Sequence, residues 1–167
     1  MRTAILITAL LLKQSVFWGH NKDLKHLRDL YYKAAVNKNN VELFTNFLAS
    51  SPDVEKTVLS GYMGICYMIR ANHSWNPCTK LSFFTKGKNL LDGAIIKDSF
   101  NIELRFLRFC VQTNAPGFLR YSQMIGADKA VILCGYSLSK DKDLKDRITN
   151  YLVNSNYCTR ADKVRLT

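Results

Sequence analysis

From Asn21 to Leu152 apolar residues recur at three- and four-residue steps in one segment after another, and short breaks rich in Asn, Pro, Asp and Ser separate the segments. That is the period of a helix surface, not of a strand. Leu24, Leu27, Leu30, Tyr31 and Ala34 make the first stripe, with Lys22, Lys25, Arg28, Asp29 and Lys33 largely outside it. Asn37 to Asn40 is a polar break. Asn39 stands three residues before Glu42 in a capping-box-like arrangement, which opens a second helix carrying Val41, Leu43, Phe44, Phe47 and Leu48. Two adjacent helices joined by so short a break form a hairpin.

Ser51-Pro52-Asp53 reads as a helix start, because Ser caps orphan amides, Pro suits the first helical position, and Asp53 and Glu55 suit the positive end. The third helix is expected to run to about Ala71. It has one stripe of Val54, Val58, Tyr62, Ile65 and Ile69 and another of Leu59, Met63, Cys66 and Tyr67, so it sits between neighbours. His73 to Cys78 is a loop with Trp75 inside it and Asn76-Pro77 disfavouring helix. A fourth helix is expected from about Thr79 to Lys97, in which Gly87 and Gly93 each cost ~1 kcal/mol against Ala, a cost tolerable where another helix approaches closely. Asn101 caps a fifth helix from Ile102 to Thr113, ended by Asn114-Ala115-Pro116-Gly117. Further helices are expected around Gly126 to Tyr136 and after a Ser139 cap through Leu144, Ile148, Tyr151 and Leu152.

The fold class that follows is all-α, built of antiparallel helical hairpins as a tetratricopeptide-like or irregular α-solenoid or bundle of about six to seven helices. Residues 1–19, with the apolar run Ala4 to Leu12 after Arg2, read as a signal peptide or apolar leader, too short to span a bilayer. An exported chain, periplasmic or extracellular, is the first expectation; a cytoplasmic or membrane-associated one is the alternative. Residues 20–156 form one helical domain, and 157–167 a basic tail expected to fray. The 47% apolar content is ample for a core. Cys66, Cys78, Cys110, Cys134 and Cys158 are odd in number and scattered, which suits core thiols better than a disulfide framework.

Gly64 and Tyr67 on the third helix, Gly87, Leu91 and Ala94 on the fourth, and the turn Asp98-Ser99-Phe100-Asn101 together resemble the tetratricopeptide repeat. Small residues in that pattern allow close helix crossing, and large ones fill the gap between repeats. The interval from Tyr67 to Gly87 is longer than in that family, and Ser99 replaces its turn proline. The chain also looks like a group of uncharacterised exported bacterial proteins. That resemblance rests on the apolar start, on Leu27, Leu30, Tyr31, Tyr32, Lys33, Ala34 and Ala35, on Glu103 to Phe109, and on Asn114-Ala115-Pro116. It implies a helical, exported protein and brings no activity with it.

With 24 Lys and Arg against 13 Asp and Glu, the net charge of +11 favours acidic partners. Arg105, Arg108 and Gln112 share one narrow side of the fifth helix, and they are the candidate partner-binding residues, a wall for gripping a carboxylate or phosphate. The competing reading has these arginines solvated, or paired to acids on neighbouring helices. No phosphate-cradling glycine loop, nucleophile elbow or metal-ligand spacing is present, so no cofactor is implied. The leading expectation is a non-enzymatic module that binds protein or peptide. One alternative is a small enzyme with a site near His73 and Cys78. Another is a basic accessory protein for nucleic acid, which spread cations make less favoured. Membrane contact is expected only through an uncleaved leader.

Overall fold

The computed structural model describes residues 23–51 and 54–166, so the leader expected over 1–19 and the start signal at Pro52-Asp53 lie outside the described residues. Helix α1 covers 23–36, and after a 3-10 turn at Lys38–Asn40 come α2 (Val41–Ala49), α3 (Lys56–His73), α4 (Pro77–Lys97) and α5 (Ile102–Asn114). A second 3-10 turn, Gly117–Leu119, leads to α6 (Ile125–Tyr136), α7 (Lys142–Val153) and α8 (Arg160–Arg165). The chain is all-α, with eight α-helices among the described residues. No helix among them is long and apolar enough to cross a membrane.

The α3–α4 hairpin is the tightest junction. A Cβ added to Gly64 would lie 2.7 Å from the Gly87 carbonyl oxygen and 2.9 Å from the Leu91 amide nitrogen, so the two backbones touch where both residues lack side chains. Gly61 makes similar room for the side chain of Leu104 on α5. Gly93 does not: nothing lies within 4 Å of its missing Cβ, and the expected close approach there is absent from the fold.

Two apolar cores result, and α5 is the wall between them. Leu104 and Leu107 face a core built from α1 to α4, with Leu27, Leu30, Phe44, Tyr62, Ile65 and Leu91 at its centre. Phe106, Phe109 and Cys110 face the other, with Ile132, Ile148, Leu152 and Leu166. An α-helix has room for two apolar faces only if its remaining two edges carry what is left over, and on α5 those edges are ionic.

Several boundaries differ from expectation for local reasons. Ser51 does not open α3; its hydroxyl donates back to the Phe47 carbonyl at 2.6 Å, while Glu55 caps α3 through the amides of Thr57 and Val58. Asn39 makes no capping box; Asn37 accepts from the Asn39 amide instead, at the 3-10 turn. Asp141, not Ser139, caps α7. The tail expected to fray forms α8, because Thr159 and Asp162 close a reciprocal capping box, Lys129 of α6 donates to Asp162 at 2.7 Å, and Leu166 is buried in the second core. Of the five free thiols, Cys66 and Cys110 are buried, whereas Cys78 and Cys134 are exposed.

The glycines give a direct test of this packing. Gly64→Ala is expected to destabilise the fold by about 1–3 kcal/mol, since its Cβ meets backbone that cannot step aside. Gly93→Ala is expected to stabilise it by about 0.5–1 kcal/mol through reduced unfolded-state freedom. Urea unfolding midpoints should therefore move in opposite directions.

Candidate partner-binding site

Arg105, Arg108 and Gln112 do share one edge of α5, but that edge faces inward. Arg108 is buried and grips Asp128 of α6 with two donors, at 2.8 and 2.7 Å, while its third reaches Asp92 of α4 at 3.0 Å. Arg105 donates to the same Asp128 at 2.9 Å and to the Ser99 carbonyl at 2.8 Å. Lys88 and Tyr121 complete the cluster on Asp92. A wall open to an outside carboxylate would need these guanidiniums unengaged, and both are held by acids of the chain itself. Gln112 is 3% exposed, and neither end of its amide finds a partner.

The opposite edge of α5 carries a second ionic seam, which corrects the placing of Arg28 outside α1. Arg28 is 2% exposed. It makes a two-pronged pair with Glu103 at 2.8 Å and also binds Asp141 at 2.7 Å and Asp143 at 2.9 Å, while Tyr62 donates to Glu103 at 2.6 Å. Arg147 of α7 closes the seam by pairing with Asp143 and with Asp29 of α1. Charges this deep hold only with such full pairing. Both seams leave traces along single helices. Arg28 follows Leu24 by four residues, and Asp128 precedes Ile132 and Tyr136 by four and eight, so each charged residue sits on an apolar face.

Burial opposes the charged forms of Asp29, Asp92 and Asp143, yet hydrogen bonds from Arg147 and Lys25, from Arg108, Tyr121 and Lys88, and from Arg147 and Arg28 outweigh it. All three carboxyls are held below the usual range. Burial raises the Tyr32 hydroxyl, beside Arg147, to about 12.

The surface follows from the same seams. Among the described residues the exposed acids are Glu42, Glu55 and Asp146, of which Glu55 caps α3 and Asp146 pairs with Lys142. Exposed cations include Lys33, Lys38, Lys56, Lys80, Lys97 and Arg120. No Asp or Glu occurs between Lys56 and Leu91, the whole of α3 and most of α4.

His73 and Cys78 have separate surroundings. The Nε2–H of His73 donates to the Ala34 carbonyl of α1 at 3.0 Å, tying the end of α3 to α1. Cys78 is exposed on the first turn of α4, beside a shallow depression of about 580 Å³ lined by Leu81, Ser82, Thr85, Lys86 and Asn89. A second depression, about 350 Å³, lies between Tyr32 and the α7 residues Arg147, Asn150 and Tyr151. Among the described residues no group of three or more His, Cys, Asp and Glu side chains is placed to hold a metal ion.

Three measurements check this region. Asp128→Ala removes the carboxylate shared by the buried Arg108 and the half-buried Arg105, leaving Arg108 only Asp92, and is expected to cost about 3–5 kcal/mol of stability. Gln112→Leu removes an unpartnered amide and is expected to leave stability unchanged or raise it by about 1 kcal/mol in urea unfolding. The pH dependence follows from the lowered carboxyls: each contributes stability that is complete above its unfolded pKa near ~3.9 and is lost as pH falls through its lower folded value. Stability should therefore decline from about pH 5 toward pH 2, and less steeply in Arg147→Met, where Asp29 and Asp143 lose their shared partner. An unchanged slope in that variant would contradict the assignment. No protein-family model, curated protein or solved structure matches this chain, and the geometry of its helices and seams is what bears on its function.

Proposed function

We propose that the protein is a non-enzymatic helical module that binds an acidic protein or peptide. One observation carries this reading: the two seams pair cations and carboxylates almost evenly, so the chain's excess of Lys and Arg stays on the surface, where the exposed acids among the described residues are Glu42, Glu55 and Asp146 alone. Uncompensated surface charge of one sign steers oppositely charged partners and contributes more to association rate and selectivity than to raw affinity. An exported chain would meet such a partner outside the cytoplasm, where nucleic acid is scarce.

The reading is tested by titrating the protein with a Glu-rich synthetic peptide, its Gln-substituted counterpart and duplex DNA at several salt concentrations. The Glu-rich peptide is expected to bind at least about tenfold tighter than the Gln version near physiological salt, with affinity falling as salt screens the contact. Equal binding of the two peptides would remove the acidic-partner reading. DNA binding tighter than peptide binding, with a steep salt slope, would replace it with a nucleic-acid role.

A further inference from the structure

We infer that the acidic partner docks on the tip of the α3–α4 hairpin, where Trp75 and Val36 stand exposed among lysines; this inference rests on the acidic-partner reading above. Trp75 is 97% exposed and Val36 86% exposed, the highest values among the exposed large apolar side chains of the described residues. The hydrogen bond from His73 to the Ala34 carbonyl ties the end of α3 to the end of α1, with Val36 two residues beyond one end of that bond and Trp75 two residues beyond the other. A tryptophan wholly in water is held there at a cost in apolar exposure, and a partner that covers it recovers that free energy.

Local order fixes the platform. Asn76 caps α4 by accepting from the amides of Cys78 and Thr79, and Pro77 occupies the first helical position, so the loop carrying Trp75 is short and anchored at both ends. On the α1 side the Asn40 amide donates to the Lys33 carbonyl, and Asn37 caps the 3-10 turn that follows Val36. An anchored aromatic loses little freedom on binding, which is what makes Trp a frequent hot-spot residue.

Charge selects the occupant. Lys33 and Lys38 flank Val36, and Lys80 lies on the first turn of α4 beside Trp75; all three are exposed. The chain has no acid from Leu30 to Val41 and none from Lys56 to Leu91, the two stretches that build the tip. A complementary segment therefore carries carboxylates around an apolar side chain, the latter covering Trp75 and Val36 and the former meeting the lysines. A bilayer surface would call for a continuous apolar face. Here the intervening positions are Asn37, Asn72, Ser74 and Asn76.

The chain has two tryptophans, so in the full-length Trp18→Phe protein Trp75 is the sole indole reporter. A synthetic peptide with Glu pairs between leucines is titrated while Trp75 emission is followed. The expected result is a saturable blue shift, with affinity lowered at least about tenfold by Trp75→Ala and by the pair Lys33→Glu and Lys38→Glu. The same charge change placed where the α6–α7 connection enters α7, Lys140→Glu with Lys142→Glu, is expected to lower it less than about threefold. Circular dichroism of each of these variants should match the Trp18→Phe parent, since Trp75 and all four lysines are exposed. If the peptide binds but Trp75 emission stays fixed and Trp75→Ala binds as well as the parent, the docking place is wrong and the acidic-partner reading stands. Equal losses from the two lysine pairs would also overturn the tip as the site. No binding of the peptide to the parent chain removes both, and a shift seen only with vesicles containing anionic lipid would replace the protein partner with a membrane.

Discussion

The pair between Arg28 and Glu103 is the contact on which the rest of the structure hangs. It joins α1 to α5 across 75 residues, and the remaining donors of the same guanidinium reach the start of α7 at Asp141 and Asp143. Tyr62 of α3 donates to the same carboxylate, so four helices meet on one ion pair. Such a pair adds little net stability compared with apolar residues of the same shape, yet losing either partner strands a charge in the interior. What it does in the fold is join α1, α3, α5 and α7 at one buried point.

Much of the architecture could be read from the chain because it depends on neighbours in sequence. The Asn101 cap and the small pair Gly64 and Gly87 act over a few residues or through one hairpin, whereas Pro77, expected in the loop, opens α4 on an Asn76 cap. Where a cap falls on another residue than expected, a rival group a few positions away makes the bond: Glu55 in place of Ser51, Asp141 in place of Ser139, Asn37 in place of Asn39. Capping rules rank residue types, and several adequate types stand within one turn. Gly93 looks equivalent to Gly87 because both lie in the same helix, but the six-residue step between them rotates Gly93 away from α3.

The arginine stripe is legible in the sequence as a stripe and illegible as a site. Helical geometry places Arg105, Arg108 and Gln112 together, but whether that edge meets solvent or another helix depends on where Asp92 and Asp128 fall in space. No pattern local to α5 contains that information. The hairpin tip is hidden for a related reason: the ends of α1 and α3 are far apart in the chain and are tied by the bond between His73 and Ala34.

The two ionic seams also limit how such a chain can grow. In an open helical array each repeat touches only its neighbours, so a further repeat can be inserted without disturbing the others. Here α1 is tied to α7 and α4 to α6 around α5, which leaves no edge of α5 for a new neighbour. A hairpin inserted between α4 and α5 would have to part Asp92 from Arg108 while Asp128 stayed behind. A longer loop leaves both seams intact, whereas a helix added against either ionic edge of α5 would have to break one of them.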